Sequence, residues 1–194
     1  MYCSSRSLIY VYGTMHLQKK AGYFVPEQGS LYCLYTDGSI KKHVENITIS
    51  NGMAWSAHAT VMYYIDSIPG CLHSFDYDIE QGSVSNKRIV VQLDRGTGFP
   101  DGMTIDTDGK VWIAFYNHGR VVRLDPDTGK RISAVEMPAF KITSCCFGGK
   151  NELFVTCSRH WCSDEELKKF PLSGSVFKVT GLGVKGYPSH MYGE

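Results

Sequence analysis

No apolar run in this chain approaches the roughly 18 residues that a membrane-spanning helix requires. Charge of one sign is lacking too. Lys and Arg number 20 against 19 Asp and Glu, a formal net charge of +1, so there is no electrostatic footprint for nucleic acid. The basic doublets Lys19-Lys20, Lys41-Lys42 and Lys168-Lys169 are isolated and read as solvated surface. Residues 1–12 hold Arg6 and a few apolar residues but no uninterrupted apolar segment or small-residue cleavage site, so no secretory signal is expected. The seven cysteines are odd in number and irregularly spaced, with Cys145 and Cys146 adjacent. That pattern excludes a disulfide framework and points to reduced thiols in a cytoplasmic or nuclear protein. Asn46-Ile47-Thr48 fits the glycosylation pattern, but without a secretion route it is chance.

What the chain has is β texture. Short runs rich in Val, Ile, Tyr and Phe alternate with Gly, Asp and Asn turns. Leu31–Tyr35 and Ser39–Val44 flank Asp37-Gly38, a hairpin signal. Val61–Asp66, Cys71–Tyr77 and Asn86–Leu93 form a second group of strands. Met103–Ile105, Lys110–Tyr116, Arg120–Asp125 and Lys130–Met137 form a third. Glu152–Cys157 and Ser175–Val179 belong to a fourth, and the insertion between them carries a helix start. Ser163 with Glu166 makes a capping box, acidic residues come early, and Lys168-Lys169 come late.

A repeat organises these groups. Ser50-Asn51-Gly52-Met53 and Pro100-Asp101-Gly102-Met103 lie about fifty residues apart, and Ser144 holds the corresponding place in the next group. A period of this length marks stacked four-stranded units, and the expectation is an all-β fold, a β-propeller. Asn51, Asp101 and Ser144 would then face one axis, with Asn51 and Asp101 as the start of a metal or catalytic site. Local turn formation before Gly is the plainer reading of any single occurrence.

Other constellations are weaker. Cys157, His160 and Cys162, with Cys145-Cys146, do not have a usual zinc spacing. They read as buried free thiols and a surface histidine. The histidines show no metalloprotease spacing, and Gly148-Gly149-Lys150 lacks the rest of a phosphate loop. Trp55, Trp112 and Trp161 are core or rim aromatics.

The segments ISNGMAWS (49–56), FDYD (75–78), FPDGMTIDTDGKVWIAFYNHGRVVRLDPDTGKR (99–131), TSCCFGGKNELFVTC (143–157) and GSVFKVTGLGVKG (174–186) together resemble the regucalcin (senescence marker protein 30) family. That group includes gluconolactonases and luciferin-regenerating enzymes. The similarity runs from about Leu8 to Gly186, leaving 1–7 unmatched and 187–194 as a tail. The resemblance implies a six-bladed propeller, of which 1–194 would form one incomplete domain of roughly three and a half blades. It implies one divalent ion (Ca, Zn, Mn or Mg) and metal-dependent hydrolysis of sugar lactones.

Carried over by motif, Asn51 is implied as a metal ligand and Asp101 as metal ligand and general base. The family's N-terminal metal-binding Glu, and the Arg and Asn that hold substrate, find no counterpart, as in an N-terminally truncated chain. Residues 1–6 read as an alternative start or a partial gene product. Gly13-Thr14-Met15 is present, but the acidic substrate contact that follows falls on Gln18, a weak substitute. An acidic place in the first motif falls on Ala54. Weakened metal and substrate binding is the consequence, and the alternative function is a calcium-binding regulator or an inactive isoform. Partners are a small sugar lactone and calcium, with neither nucleic acid nor membrane. Open sheet edges would invite self-association.

Overall fold

The computed structural model describes residues 10–16, 23–93, 96, 98–149 and 151–188. Gln18 lies outside them. The strands are β1 (Tyr10–Gly13), β2 (Gly29–Leu34), β3 (Ile40–Ile47), β4 (Ser50–Trp55), β5 (Val61–Asp66), β6 (Cys71–Asp78), β7 (Ser83–Gln92), β8 (Phe99–Ile105), β9 (Val111–Tyr116), β10 (Arg120–Leu124), β11 (Arg131–Glu136), β12 (Ile142–Gly148), β13 (Glu152–Cys157) and β14 (Val176–Val179). One helix, α1 (Asp164–Lys169), sits between β13 and β14. Its capping box is formed as the sequence predicts, with the Ser163 hydroxyl and the Glu166 carboxylate each accepting the other's backbone N–H.

Consecutive strands pair antiparallel into four sheets: β1-β2-β3, β4-β5-β6-β7, β8-β9-β10-β11 and β12-β13-β14. Tight turns set the hairpins. Gly38 and Gly109 follow Asp with φ of 82° and 75°, backbone that costs glycine nothing.

All-β content is as expected, but the propeller is not. The four sheets are separate, and none closes into a barrel or ring. Among the described residues two sheets have four strands and two have three. Among the described residues, strand-like pairing between sheets is limited to isolated bridges, Met15 with Ile49 and Asp106 with Gly186. What joins them is side-chain packing. One core places Leu31 and Ile47 of the first sheet against Met62, Tyr64 and Phe75 of the second. A second places Tyr63, Ile65 and Leu72 against Val111, Ile113 and Phe115. A third places Trp112, Ala114 and Val121 against Ile142, Leu153 and Val155. Each core joins consecutive sheets only, so among the described residues nothing brings the fourth sheet onto the first.

The alternation within β5 and β9 explains this layering. Tyr63 and Tyr64, or Trp112 and Ile113, point to opposite faces, and both faces are covered. Each buried Leu, Ile or Phe stabilises by about 1.5–3 kcal/mol, more than an exposed pair such as Lys42–Glu45 contributes, about 0–1 kcal/mol. The outer strands β3, β7 and β11 carry Lys41, Lys42, Lys87, Arg88 and Arg131, charges that blunt an open edge.

The inner strands approach very closely. A Cβ on Gly52 would lie 2.5 Å from the Met103 Cβ and 2.7 Å from the Asp101 carbonyl oxygen. One on Gly102 would lie 2.6 Å from the Ser144 Cβ and still nearer its hydroxyl. Glycine is required here for space, not for backbone conformation. Gly102→Ala is expected to destabilise the fold by about 1–3 kcal/mol or more, read as a lower urea midpoint with unchanged slope, whereas Gly109→Ala acts through the turn alone.

Candidate functional site

The repeat places β4, β8 and β12 side by side, each with a register irregularity next to its repeated motif. Pairing with the next strand shifts between Ser50 and Met53, between Pro100 and Met103, and between Ile142 and Ser144. A bulge re-aims the side chain it contains. Here it presents Asn51 and Asp101 from neighbouring sheets toward one another.

The two meet. The Asn51 amide and the Gly102 backbone lie close enough to the Asp101 carboxyl to favour its charged form. The Asn51 amide nitrogen donates to the Ser67 hydroxyl at 3.0 Å. Behind them, the buried Tyr64 hydroxyl donates to Ser50 at 2.6 Å, and Ser50 donates to the Thr14 carbonyl at 2.6 Å. This chain of hydroxyls fixes the backbone that carries Asn51.

The electrostatics of Asp101 follow from its surroundings. Burial pushes its carboxyl up to about 7, with the Asn51 and Gly102 hydrogen bonds opposing the rise. Its partners are neutral donors, and no ion pair reaches it among the described residues. A carboxylate desolvated without a countercharge has the chemistry of a cation ligand or of a base poised near neutrality.

Ser144 packs on Gly102 but is exposed, and no contact ties its side chain to Asn51 or Asp101. The expected metal-binding centre is corrected. No group of three or more His, Cys, Asp or Glu that could hold a metal occurs among the described residues. A zinc centre is therefore not formed. Cys145 and Cys157 are buried free thiols, Cys162 is half-buried, and Cys146 and His160 face solvent. The Cys157 thiol is spent on the Ser175 carbonyl at 3.3 Å.

Sequence reasoning missed Ser67 and Tyr116. Each directly follows or ends the strand paired to a repeated motif, so only the strand register reveals them. The predicted signal was there in the spacing: Ser67 stands sixteen residues after Asn51, beyond any local turn.

Folded Asp101 holds its proton more tightly than the unfolded chain, whose carboxyl keeps the ordinary 3.8. The associated stability is present below about pH 4 and is lost as pH rises through about 7. Asp101→Asn, in the presence of chelator, is therefore expected to raise the melting temperature at about pH 8 and to leave it nearly unchanged at about pH 4. The gain is bounded by about 4 kcal/mol, and a scan of melting temperature against pH for both proteins checks it.

A family model described as the SMP-30/Gluconolactonase/LRE-like region matches residues 5–159. Regucalcin of Oryctolagus cuniculus is 47% identical over 185 residues, which cover 94% of this chain and 62% of that protein. The solved structure of a luciferin-regenerating enzyme superposes with a TM-score of 0.84 at 36% identity, covering 93% of this chain and 60% of the other. A calcium-binding protein, regucalcin, from Agrobacterium tumefaciens superposes with a TM-score of 0.84 at 28% identity, covering 95% and 61%. The chain thus spans about 62% of the length of the curated relatives it matches.

Proposed function

The chain belongs to the SMP-30/gluconolactonase/LRE-like family, and from that premise we propose that it serves as a sugar-lactone hydrolase of gluconolactonase type. The observation that carries this reading is the half-buried Asp101, whose carboxyl burial pushes up to about 7 beside Asn51 of the neighbouring sheet, with no ion pair to it among the described residues. A lactone is a cyclic ester, and its opening needs an activated water. Asp101 takes the proton of that water as it attacks the ring carbonyl; the ring acyl C–O bond then breaks and the leaving oxygen takes the proton back from Asp101, a role to which a carboxyl near 7 is well matched at neutral pH. Asn51 holds the carboxylate in register, and Ser67 holds Asn51.

The residues present also fit a hard divalent ion in part. The Asp101 carboxylate and the Asn51 side-chain carbonyl would be two oxygen ligands of the kind calcium, magnesium or manganese prefers. When bound, such an ion supplies Lewis acidity to the ester carbonyl and lowers the pKa of water. Two protein oxygens fall well short of the six to eight that calcium takes, so binding through this chain alone is weak and rests largely on water. The relative from Agrobacterium supports the cation, and the free thiols suit a reducing compartment, the cytoplasm.

A second reading is calcium binding without turnover, favoured by the calcium-binding relative from Agrobacterium tumefaciens. One experiment separates the two: proton release from D-glucono-1,5-lactone, with manganese or calcium added. Hydrolysis above the spontaneous rate that falls by about 100-fold or more in Asp101→Asn is expected. Calcium uptake by calorimetry with no hydrolysis in either protein establishes the second reading instead.

A further inference from the structure

The strand register aligns the second and third sheets residue by residue. Ser50 lies opposite Asp66, and Pro100 lies opposite Phe115. One step further along each strand, Asn51 corresponds to Asp101, and Ser67 corresponds to Tyr116. The Ser67 hydroxyl touches Asn51 at 3.0 Å. Tyr116 is thus the hydroxyl-bearing residue built into the equivalent place beside Asp101.

Its surroundings agree. Tyr116 pairs with Phe99, two residues before Asp101, at the end of β8 where the register shifts beside the repeated motif. Phe115, on the opposite face, is buried in the core, whereas Tyr116 is half-buried. Burial first, and then the charges of Cys162, Asp101 and Glu166, push the Tyr116 phenol up, so it lies within electrostatic reach of Asp101 and of the segment that carries α1. Among the described residues no hydrogen bond of its hydroxyl is seen.

That segment is firmly placed. It leaves β13 after Cys157, which pairs with Ile142 near the start of β12, at the end of the fourth sheet that adjoins Asp101. The buried Lys141 ammonium binds the Trp161 carbonyl and reaches the Glu166 carboxylate at 3.5 Å. Phe140 and Phe170 stack with centroids 5.7 Å apart. A hydroxyl at a strand end, in the place that Ser67 holds beside Asn51 and within electrostatic reach of Asp101, suits a ligand rich in hydroxyls.

We propose that Tyr116 is a substrate-recognition residue, its phenol hydrogen-bonding a ring hydroxyl of a polyhydroxylated lactone and so selecting sugar lactones over bare ones. The proposal rests on the reading of Asp101 as the centre of a lactone site. Tyr116→Phe removes one oxygen and keeps the ring.

The test compares D-glucono-1,5-lactone with δ-valerolactone, which has no hydroxyls, in steady-state hydrolysis by wild type and Tyr116→Phe, with melting temperatures to confirm the fold. A rise in KM for the sugar lactone of about tenfold is expected, the loss of one hydrogen bond. The value of kcat should stay within about twofold, and δ-valerolactone should be hydrolysed as before. Equal losses on both lactones, or no loss on the sugar lactone, overturn the proposal. If neither lactone is hydrolysed by wild type, the hydrolase reading fails, and saturation-transfer NMR with D-gluconate decides the present one. Gluconate binding that Tyr116→Phe abolishes supports it. Binding that is unchanged, or absent in wild type, overturns it.

Discussion

Four sheets that share almost no backbone hydrogen bonds must be held by surface fit, and the tightest fit is at Gly52 and Gly102. A side chain at either would occupy the space of Met103 or Ser144. Removing Cβ lets one inner strand lie directly on the next, and a close-packed interior leaves no slack to absorb the difference. The same approach delivers Asn51 to Asp101. The pair meets because its flanking glycines let the strands meet, so the candidate site is a product of the packing and not an addition to it.

Comparison with the other buried carboxylates shows what is unusual about Asp101. Asp66 spends one oxygen on the Thr48 amide and the other on that of Ile49. Asp106 accepts from the amides of Asp108 and Lys110, from the Trp112 indole and from the Arg123 guanidinium at 2.7 Å. Both are cross-links: one ties an inner strand to the preceding connection, the other organises a turn. Burial also pushes Asp66 up, but the backbone groups of Ile49, Thr48 and Ile68 and the charge of Lys87 counter it. Asp101 has less, one side-chain amide and one backbone group, and no neighbouring cation. A half-buried carboxylate left so short of compensation beside the well-bonded Asp66 and Asp106 is where sequence rules break for a reason other than stability.

Much of this was legible in the residues. The hairpins follow from Asp37-Gly38, Asp108-Gly109 and Asn117-His118-Gly119, because those turns need positive φ at glycine, and the chain offers it there. The capping box of α1 is a local motif and formed as written. Asn51 and Asp101 showed through the repeat. Closure did not follow from it. A repeat fixes what each unit looks like, but whether units form a ring depends on the first and last meeting, and each core found here joins neighbours alone. Tyr116 and Ser67 were hidden for a related reason. Nothing local marks a tyrosine at a strand end; its place is set by a partner strand and by a bulge that moves the register.

The short ligand set and the proton affinity of Asp101 bear on each other. A carboxylate that an ion neutralises fully is a strong ligand and a poor base, because its proton affinity is driven far down. Held by Asn51 and Gly102 alone, Asp101 stays near 7, where base strength and ionised fraction are both useful at neutral pH. A sparse coordination sphere therefore does not count against turnover in the way it counts against calcium affinity. It separates the two functions of one side chain, and the balance between them is set by how much positive charge the rest of the site brings to that oxygen.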